Sequence, residues 1–402
     1  MQTLPAIAIV LALLAVATIR FRLNPFIALF SSAVLYGLMA GLPASSVVAT
    51  AAQGAGTIFA LLGPIVFAGS VIAVVVGREG NRERILQDIE RFTRRPSAIG
   101  GIAGFLFAVP FMCCITAFIV VSPLLSCLQD RRTAMYAAAI GSVLSFTLIF
   151  PTPVTLAVAG SVAGFDAVSY SAVCIPLALA LLAVIVWMGG APRGSPGEET
   201  AVSGSGRSAW LTILIPLGCA ALAVVHPVFG SESVAAFLLI GMGAALFLVP
   251  GDLRADMLGK GVRHAGIIIY DLCGAGAFGA VIIASGLPVE VAAIPQGMIP
   301  PFILPFCIAA IVQAAQGSRV VTAVITAEFI SASGSVWSGS PASLVLLVAA
   351  GCLSVSAFSD PYFWLIRRTT NDPAEMVLKH YSLPLFLVSC VCAGAAFLIA
   401  GL

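Results

Sequence analysis

The chain has 402 residues, of which 60% are apolar and 9% charged, with a net charge of +2 and a mean hydropathy of +1.11. Soluble domains carry about 25% charged residues, so a water-soluble fold is excluded, and a near-neutral chain without a basic cluster excludes a nucleic-acid surface. Apolar runs of about 20 residues, enough to cross a hydrocarbon core about 30 Å thick, recur throughout. Such unbroken runs exclude a transmembrane β-barrel, whose strands alternate, and predict an all-α polytopic membrane protein.

The stretch from Met1 to Ile19 lacks a basic leader region and runs into Arg20 and Arg22, so it reads as a first span rather than a cleaved signal. Spans are predicted at 3–19, 25–42, 56–77, 133–164, 166–189, 209–226, 233–250, 265–285, 338–364 and 382–401. The stretches 97–129 and 299–333 are too long for one crossing and too short for two, which takes about 40 residues. Each is expected to be a re-entrant hairpin, backbone that is tolerated at membrane depth only when protein or a water-filled cavity covers it.

Basic residues test this plan. With both termini outside, every one of the 19 Lys and Arg residues except Arg319 falls in an inner loop, as the positive-inside rule demands. The rule needs the first hairpin, because Arg95 and Arg131 flank it on one side. Residues 81–95 place Ile85, Leu86, Ile89 and Phe92 on one face opposite charges, predicting an amphipathic helix on the inner membrane surface. The Gly/Ser-rich stretch 190–208 reads as a flexible linker. Trp187, Trp210, Trp337 and Trp364 fall near span ends, where interfacial aromatics gather.

The linker divides the chain into residues 1–189 and 209–402, and each part follows the same order: three spans, a hairpin, a broken span, a last span. The parts begin on opposite sides, so they form an inverted repeat. In the first, the hairpin tip lies near Met112 and the next span breaks at Phe150-Pro151-Thr152-Pro153. In the second, the tip lies near Gly317 and the break near Ser359-Asp360-Pro361. Broken helices leave peptide groups that a ligand, water or protein must satisfy. Inverted repeats with paired interruptions point to a secondary transporter.

Few residues within the membrane can carry charge, and those that do are functional candidates. Arg319 follows the tip residues Gln316, Gly317 and Ser318, where a guanidinium can hold a carboxylate; the alternative is a structural pair with Glu328 or Asp271, or neutralisation of a buried Asp360. Asp360 in the second break, Asp271 before the small-residue run 274–279, and Glu328 are the candidate proton carriers. Thr152 and Thr155 at the first break, and Cys113 and Cys114 at the first hairpin tip, complete the candidate substrate site. The ten cysteines otherwise read as small buried apolar residues. There is no GxxxxGK[ST] loop for ATP, no HExxH metal spacing and no Gly-x-Ser-x-Gly elbow, so no enzyme, cofactor or metal site is expected.

The segments Arg22-Leu23-Asn24-Pro25-Phe26-Ile27-Ala28-Leu29, Gly37-Leu38-Met39-Ala40-Gly41-Leu42-Pro43, 274–279, Ala315-Gln316-Gly317-Ser318 and Asp360-Pro361-Tyr362-Phe363-Trp364 occur in this order. In these the chain resembles the gluconate:proton symporter (gluconate permease) family, over nearly its whole length. The resemblance implies the ion-transporter superfamily fold, with scaffold and transport domains, elevator motion and homodimers. It also implies proton-coupled import of gluconate or a related hydroxy acid across a bacterial inner membrane. The chain departs from the family pattern in three places: Thr152 stands where the family has a His, Met112-Cys113-Cys114-Ile115 lacks its tip Asp, and Gln313 replaces the Arg before the second tip, with Arg319 after it. The expected function is proton-coupled uptake of a small organic anion. A carrier of a zwitterionic amino acid such as D-serine, a sodium-coupled carboxylate carrier, and a channel or receptor on the same fold stay open.

Overall fold

The computed structural model describes residues 3–21, 23–78, 80–128, 130–189, 206–226, 232–287, 290, 300–333 and 339–400. Most of the expected linker, Trp337, and the side chain of Gln316 lie outside them. All regular structure among the described residues is helical.

The first half comprises α1 (Thr3–Ile19), α2 (Pro25–Met39), α3 (Ala44–Val76), α4 (Asn81–Phe92), α5 (Pro96–Phe111), α6 (Cys114–Leu125), α7 (Arg131–Leu148), α8 (Pro153–Ala159) and α9 (Ala167–Met188). The second comprises α10 (Gly206–Val225), α11 (Ser233–Phe247), α12 (Gly251–Ala284), α13 (Leu304–Gln316), α14 (Arg319–Ser333), α15 (Pro341–Ser354), α16 (Pro361–Thr370), α17 (Ala374–Val377) and α18 (Leu383–Ile399). Side chains set these boundaries. Asn24 and Asp166 cap α2 and α9 by accepting peptide N–H bonds, and proline opens α2, α5, α8, α15 and α16, where its missing donor costs nothing.

Five helical stretches are long and apolar enough by themselves to cross a membrane: Ala44–Val76, Arg131–Ala159, Ala167–Met188, Gly251–Ala284 and Ala374–Ile399. The remaining predicted spans correspond to shorter apolar helices. Expected spans 56–77 and 265–285 prove to be only the apolar parts of α3 and α12, whose 33 and 34 residues begin well before them. Their polar first turns stay helical, on α12 with the help of the Asp256–Lys260 pair at 2.7 Å, because helix propagation needs no apolar side chain once a turn exists.

Two close crossings organise the molecule. The α3–α12 pair meets backbone to backbone: a Cβ on Gly54 would stand 2.3 Å from the Gly276 carbonyl oxygen, and one on Gly276 2.5 Å from that of Gly54. At the other end of the pair Gly261 abuts Val71. Early α3 thus meets late α12 and early α12 meets late α3, so the two helices are antiparallel. The second crossing lays α5 along α7, with Gly104 against the Ala138 carbonyl.

Burial separates centre from rim. The stretch Arg131–Ala159 is mostly buried, whereas α9 and Ala374–Ile399 are mostly on the surface and expose Leu179, Val184, Leu387 and Leu398. Outward apolar side chains suit contact with lipid tails. One expectation needs correction. Helix α4 buries Ile85, Leu86 and Ile89 in the protein core, with Asp88 accepting from the Trp210 indole at 2.9 Å, while Phe92 is 87% exposed. Its apolar face therefore packs on the protein itself, and Phe92, the last residue of the helix, extends beyond that contact.

Candidate functional site

Two helix reversals and two helix interruptions lie at the positions where the sequence places hairpin tips and breaks. Helices α5 and α6 reverse at Met112, which adopts left-handed backbone (φ 51°), and Cys113 caps α6 by accepting from the Thr116 N–H at 3.4 Å. Helices α13 and α14 reverse at Gly317 (φ 78°) and Ser318. Between α7 and α8 lie residues 149–152, and between α15 and α16 residues 355–360.

The second tip rests directly on the second break. A Cβ on Gly317 would be 2.0 Å from the Ser359 carbonyl oxygen, so only glycine fits both the turn and the contact. Fully buried Gln313 staples the tip: its amide donates to the Gly317 carbonyl and its oxygen accepts from Thr322, each at 2.8 Å. A neutral amide thus bridges the two arms of the hairpin.

Arg319 begins the return arm and is buried. Its Nη2 donates to Asp360 Oδ2 at 2.9 Å, to Ser356 Oγ at 2.7 Å and to the Tyr381 hydroxyl at 2.9 Å. Of the structural partners that the sequence offers for Arg319, namely Glu328, Asp271 and Asp360, the one found is Asp360. Asp360 also accepts from the Tyr381 hydroxyl at 3.2 Å and, as the cap of α16, from the Tyr362 N–H at 2.8 Å. Among the described residues, Arg319 Nε is buried without a hydrogen-bond partner. A guanidinium has donors in a rigid fork, and here one of them is desolvated without an acceptor.

The first half closes around this pair. Cys114 of the first hairpin lies within Coulombic range of Arg319 and Asp360. Phe118 meets the Tyr362 ring edge-on at 5.5 Å, and Ser142 of α7 and the Tyr362 hydroxyl are hydrogen-bonded at 2.8 Å. Conversely α8 packs on α14 and α15. Each half therefore sets a hairpin arm or half-helix against the other half's interruption.

The remaining candidates are placed differently. Thr152 and Thr155 are fully buried at the first break, 3.2 Å apart, with Thr155 donating to backbone carbonyls there. Asp271 points to the start of α2 beside the Phe26 backbone, its Oδ1 buried without a hydrogen-bond partner among the described residues. The Glu328 side chain lies against Gly279 of α12. Asp271 and Glu328 thus lie on the α12 side, apart from the ion pair.

Sequence reasoning missed Tyr381, Ser356, Tyr362 and Ser142. Hydroxyls inside apolar helices are common, and these four lie on four separate elements. The one usable signal was a tyrosine beside Lys379 and His380 at the start of the last apolar run.

Hairpins whose tips face helix breaks, set between long crossing helices, make a helical membrane-carrier fold. Solved structures share it: the YdaH transporter of Alcanivorax borkumensis superposes with a TM-score of 0.58 at 15% identity, covering 87% of this chain and 88% of that one. MtrF of Neisseria gonorrhoeae gives 0.57 at 14% identity, covering 88% and 84%. The sequence narrows the class. The GntP family permease model matches residues 2–196 and 233–402, and the chain belongs to that family. A high-affinity gluconate transporter of Escherichia coli K12 is 26% identical over 94% of each chain. The L-idonate transporter of its Gnt-II system is 24% identical over 95% of each. The D-serine transporter DsdX of the same strain is 22% identical over 98% of this chain and 97% of its own. The protein is a multi-pass membrane permease for a small molecule and not an enzyme.

Proposed function

We propose that the chain is a secondary transporter that imports a small organic anion, a hydroxy or sugar acid of the gluconate kind, together with a proton across a bacterial inner membrane. The carrying observation is the buried Arg319–Asp360 pair at the meeting of hairpin tip and helix break, with Arg319 Nε left without an acceptor. Gradient, cargo and proton are coupled through this pair. A substrate carboxylate takes the guanidinium, Asp360 loses its counter-charge, and the proton neutralises it. Removing one partner of a buried ion pair costs about 3–5 kcal/mol, so neither substrate nor proton binds well alone. Gln316, Gly317, Ser318, Thr152, Thr155, Cys113 and Cys114 would line the cargo's polyol end. Asp271 and Glu328 remain secondary proton candidates.

The inverted repeat, the homodimer, outward termini and elevator motion belong to this reading. The antiparallel α3–α12 pair supports the repeat, since equivalent helices of inverted halves run in opposite directions. That pair would be the scaffold; hairpins and broken helices would be the moving body.

A second reading has one observation in its favour. A cation and an anion side by side, 2.9 Å apart, can hold the carboxylate and ammonium of a zwitterionic amino acid.

The test is uptake of labelled gluconate and of D-serine into proteoliposomes, with a pH dye inside. Gluconate accumulation that follows an inward proton gradient is expected; accumulation of D-serine alone selects the second reading, and neither being moved sinks both. Asp360→Asn, checked for folding by its melting midpoint, is expected to lose gradient-driven uptake, keep exchange, and lower the exchange KM because the internal competitor for Arg319 is gone. Arg319→Gln is expected to lose both activities.

A further inference from the structure

Away from the ion pair, a cavity of about 450 Å³ opens between the end of α3, the return arm α6 and the first third of α12. Ala73, Val74, Gly77, Val120 and Met257 form its apolar walls. Its polar lining is Arg78, Lys260, His264 and Thr116. Among the described residues no carboxylate lines it. Lys260 carries one pairing at its outer edge, to the exposed Asp256 at 2.7 Å. Among the described residues no carboxylate lies within ion-pair distance of Arg78. The Thr116 hydroxyl and His264 Nε2 are hydrogen-bonded at 2.8 Å across the cavity's inner wall.

We propose that this cavity is an anion-binding vestibule on the inner face, which receives the carboxylate cargo after it leaves Arg319. The proposal rests on the carrier reading above. Three features argue for it. The lining has one sign of charge with apolar walls, the combination that focuses a field and concentrates counter-ions. The volume admits a six-carbon hydroxy acid, whose hydroxyls find Thr116 and the imidazole. Finally, the vestibule is bounded by both bodies of the carrier. Thr116 stands on the first hairpin three residues from Cys113 at its tip, while His264 and Lys260 stand on the long helix that crosses α3. Arg78 and Lys260 lie on the side that the basic residues mark as cytoplasmic.

The experiment compares exchange KM for gluconate at the two faces, in right-side-out and inside-out membrane vesicles from a host without its own gluconate carriers. The double variant Arg78→Gln/Lys260→Gln is set against Arg91→Gln, which removes one charge from the exposed face of α4 and away from the cavity. The expected result is a rise of about ten-fold in inner-face KM for the double variant, the size of one lost charge-assisted bond. Outer-face KM stays put, Arg91→Gln has no effect, and Arg78→Lys with Lys260 intact restores wild-type behaviour. Equal change at both faces, or none, overturns the vestibule while leaving the carrier reading intact. So does a change confined to the dependence of activity on anionic lipid, which would assign the cations to headgroup phosphates. A wild-type protein that moves no carboxylate at all would sink the carrier reading, and the vestibule with it.

Discussion

Gly317 shows how much one missing methyl group can decide. Its backbone is left-handed and its Cα sits against the carbonyl of Ser359, so Gly317→Ala brings both strain and collision. Backbone strain alone costs about 1–3 kcal/mol, and the contact at 2.0 Å leaves no room for the neighbour to yield, since it is main chain. The tip should lift off the break, pulling Arg319 from Asp360. A fall in the detergent melting midpoint together with loss of exchange is expected; a variant with wild-type exchange would show that tip and break need not touch.

Other residues explain what the sequence concealed. Gly317, Arg319 and Asp360 were each recognisable, because a glycine at a tip and a charge inside an apolar run stand out singly. Which carboxylate Arg319 pairs with does not stand out, since 41 residues separate it from Asp360 and Glu328 and Asp271 are equally available in the sequence. Tyr381 and Ser356 gave no signal because a hydroxyl acquires meaning only from what it faces.

At the scale of elements, the second break is held by both halves. Tyr362 follows the Asp360 cap, so its position fixes the start of α16, and its hydroxyl bonds Ser142 of α7. Ser142→Ala and Tyr362→Phe each leave a buried hydroxyl without this partner, at a cost of about 1–3 kcal/mol. The double variant should cost less than the sum of the single ones, because neither group is then left alone. Strict additivity of the melting shifts would mean that the bond does not join the halves.

Hairpin and break positions were legible because proline, glycine and run length constrain them locally. The starts of α3 and α12 were not, since hydropathy registers lipid contact and their first turns do not need it. Helix α4 misled for a related reason: an apolar face identifies a need for cover, and Ile85, Leu86 and Ile89 find it in the protein core rather than in lipid.

At the scale of the whole molecule, the proposed motion predicts which joints slide. The α3–α12 crossing is locked by backbone contact at Gly54 and Gly276, whereas α6 is joined to α12 by a side-chain bond, Thr116 to His264. Thr116→Cys/His264→Cys, joined by a short bifunctional thiol reagent after replacement of the exposed Cys127 and Cys390, should arrest transport and recover on reduction. Undiminished transport with the link complete would exclude sliding between hairpin and long helix.

The Arg319–Asp360 pair has an electrical side. A body that carries one cation and one anion in contact has no net charge, so the transmembrane voltage does no work in moving it. One unbalanced charge would add about 2.3 kcal/mol per 100 mV to every return stroke. The pair itself therefore adds no voltage-dependent cost to resetting the proposed carrier. With one proton per monovalent acid, clamping the potential with potassium and valinomycin should leave uptake unchanged at a fixed pH gradient. Acceleration by an inside-negative potential would instead count a second proton in the cycle.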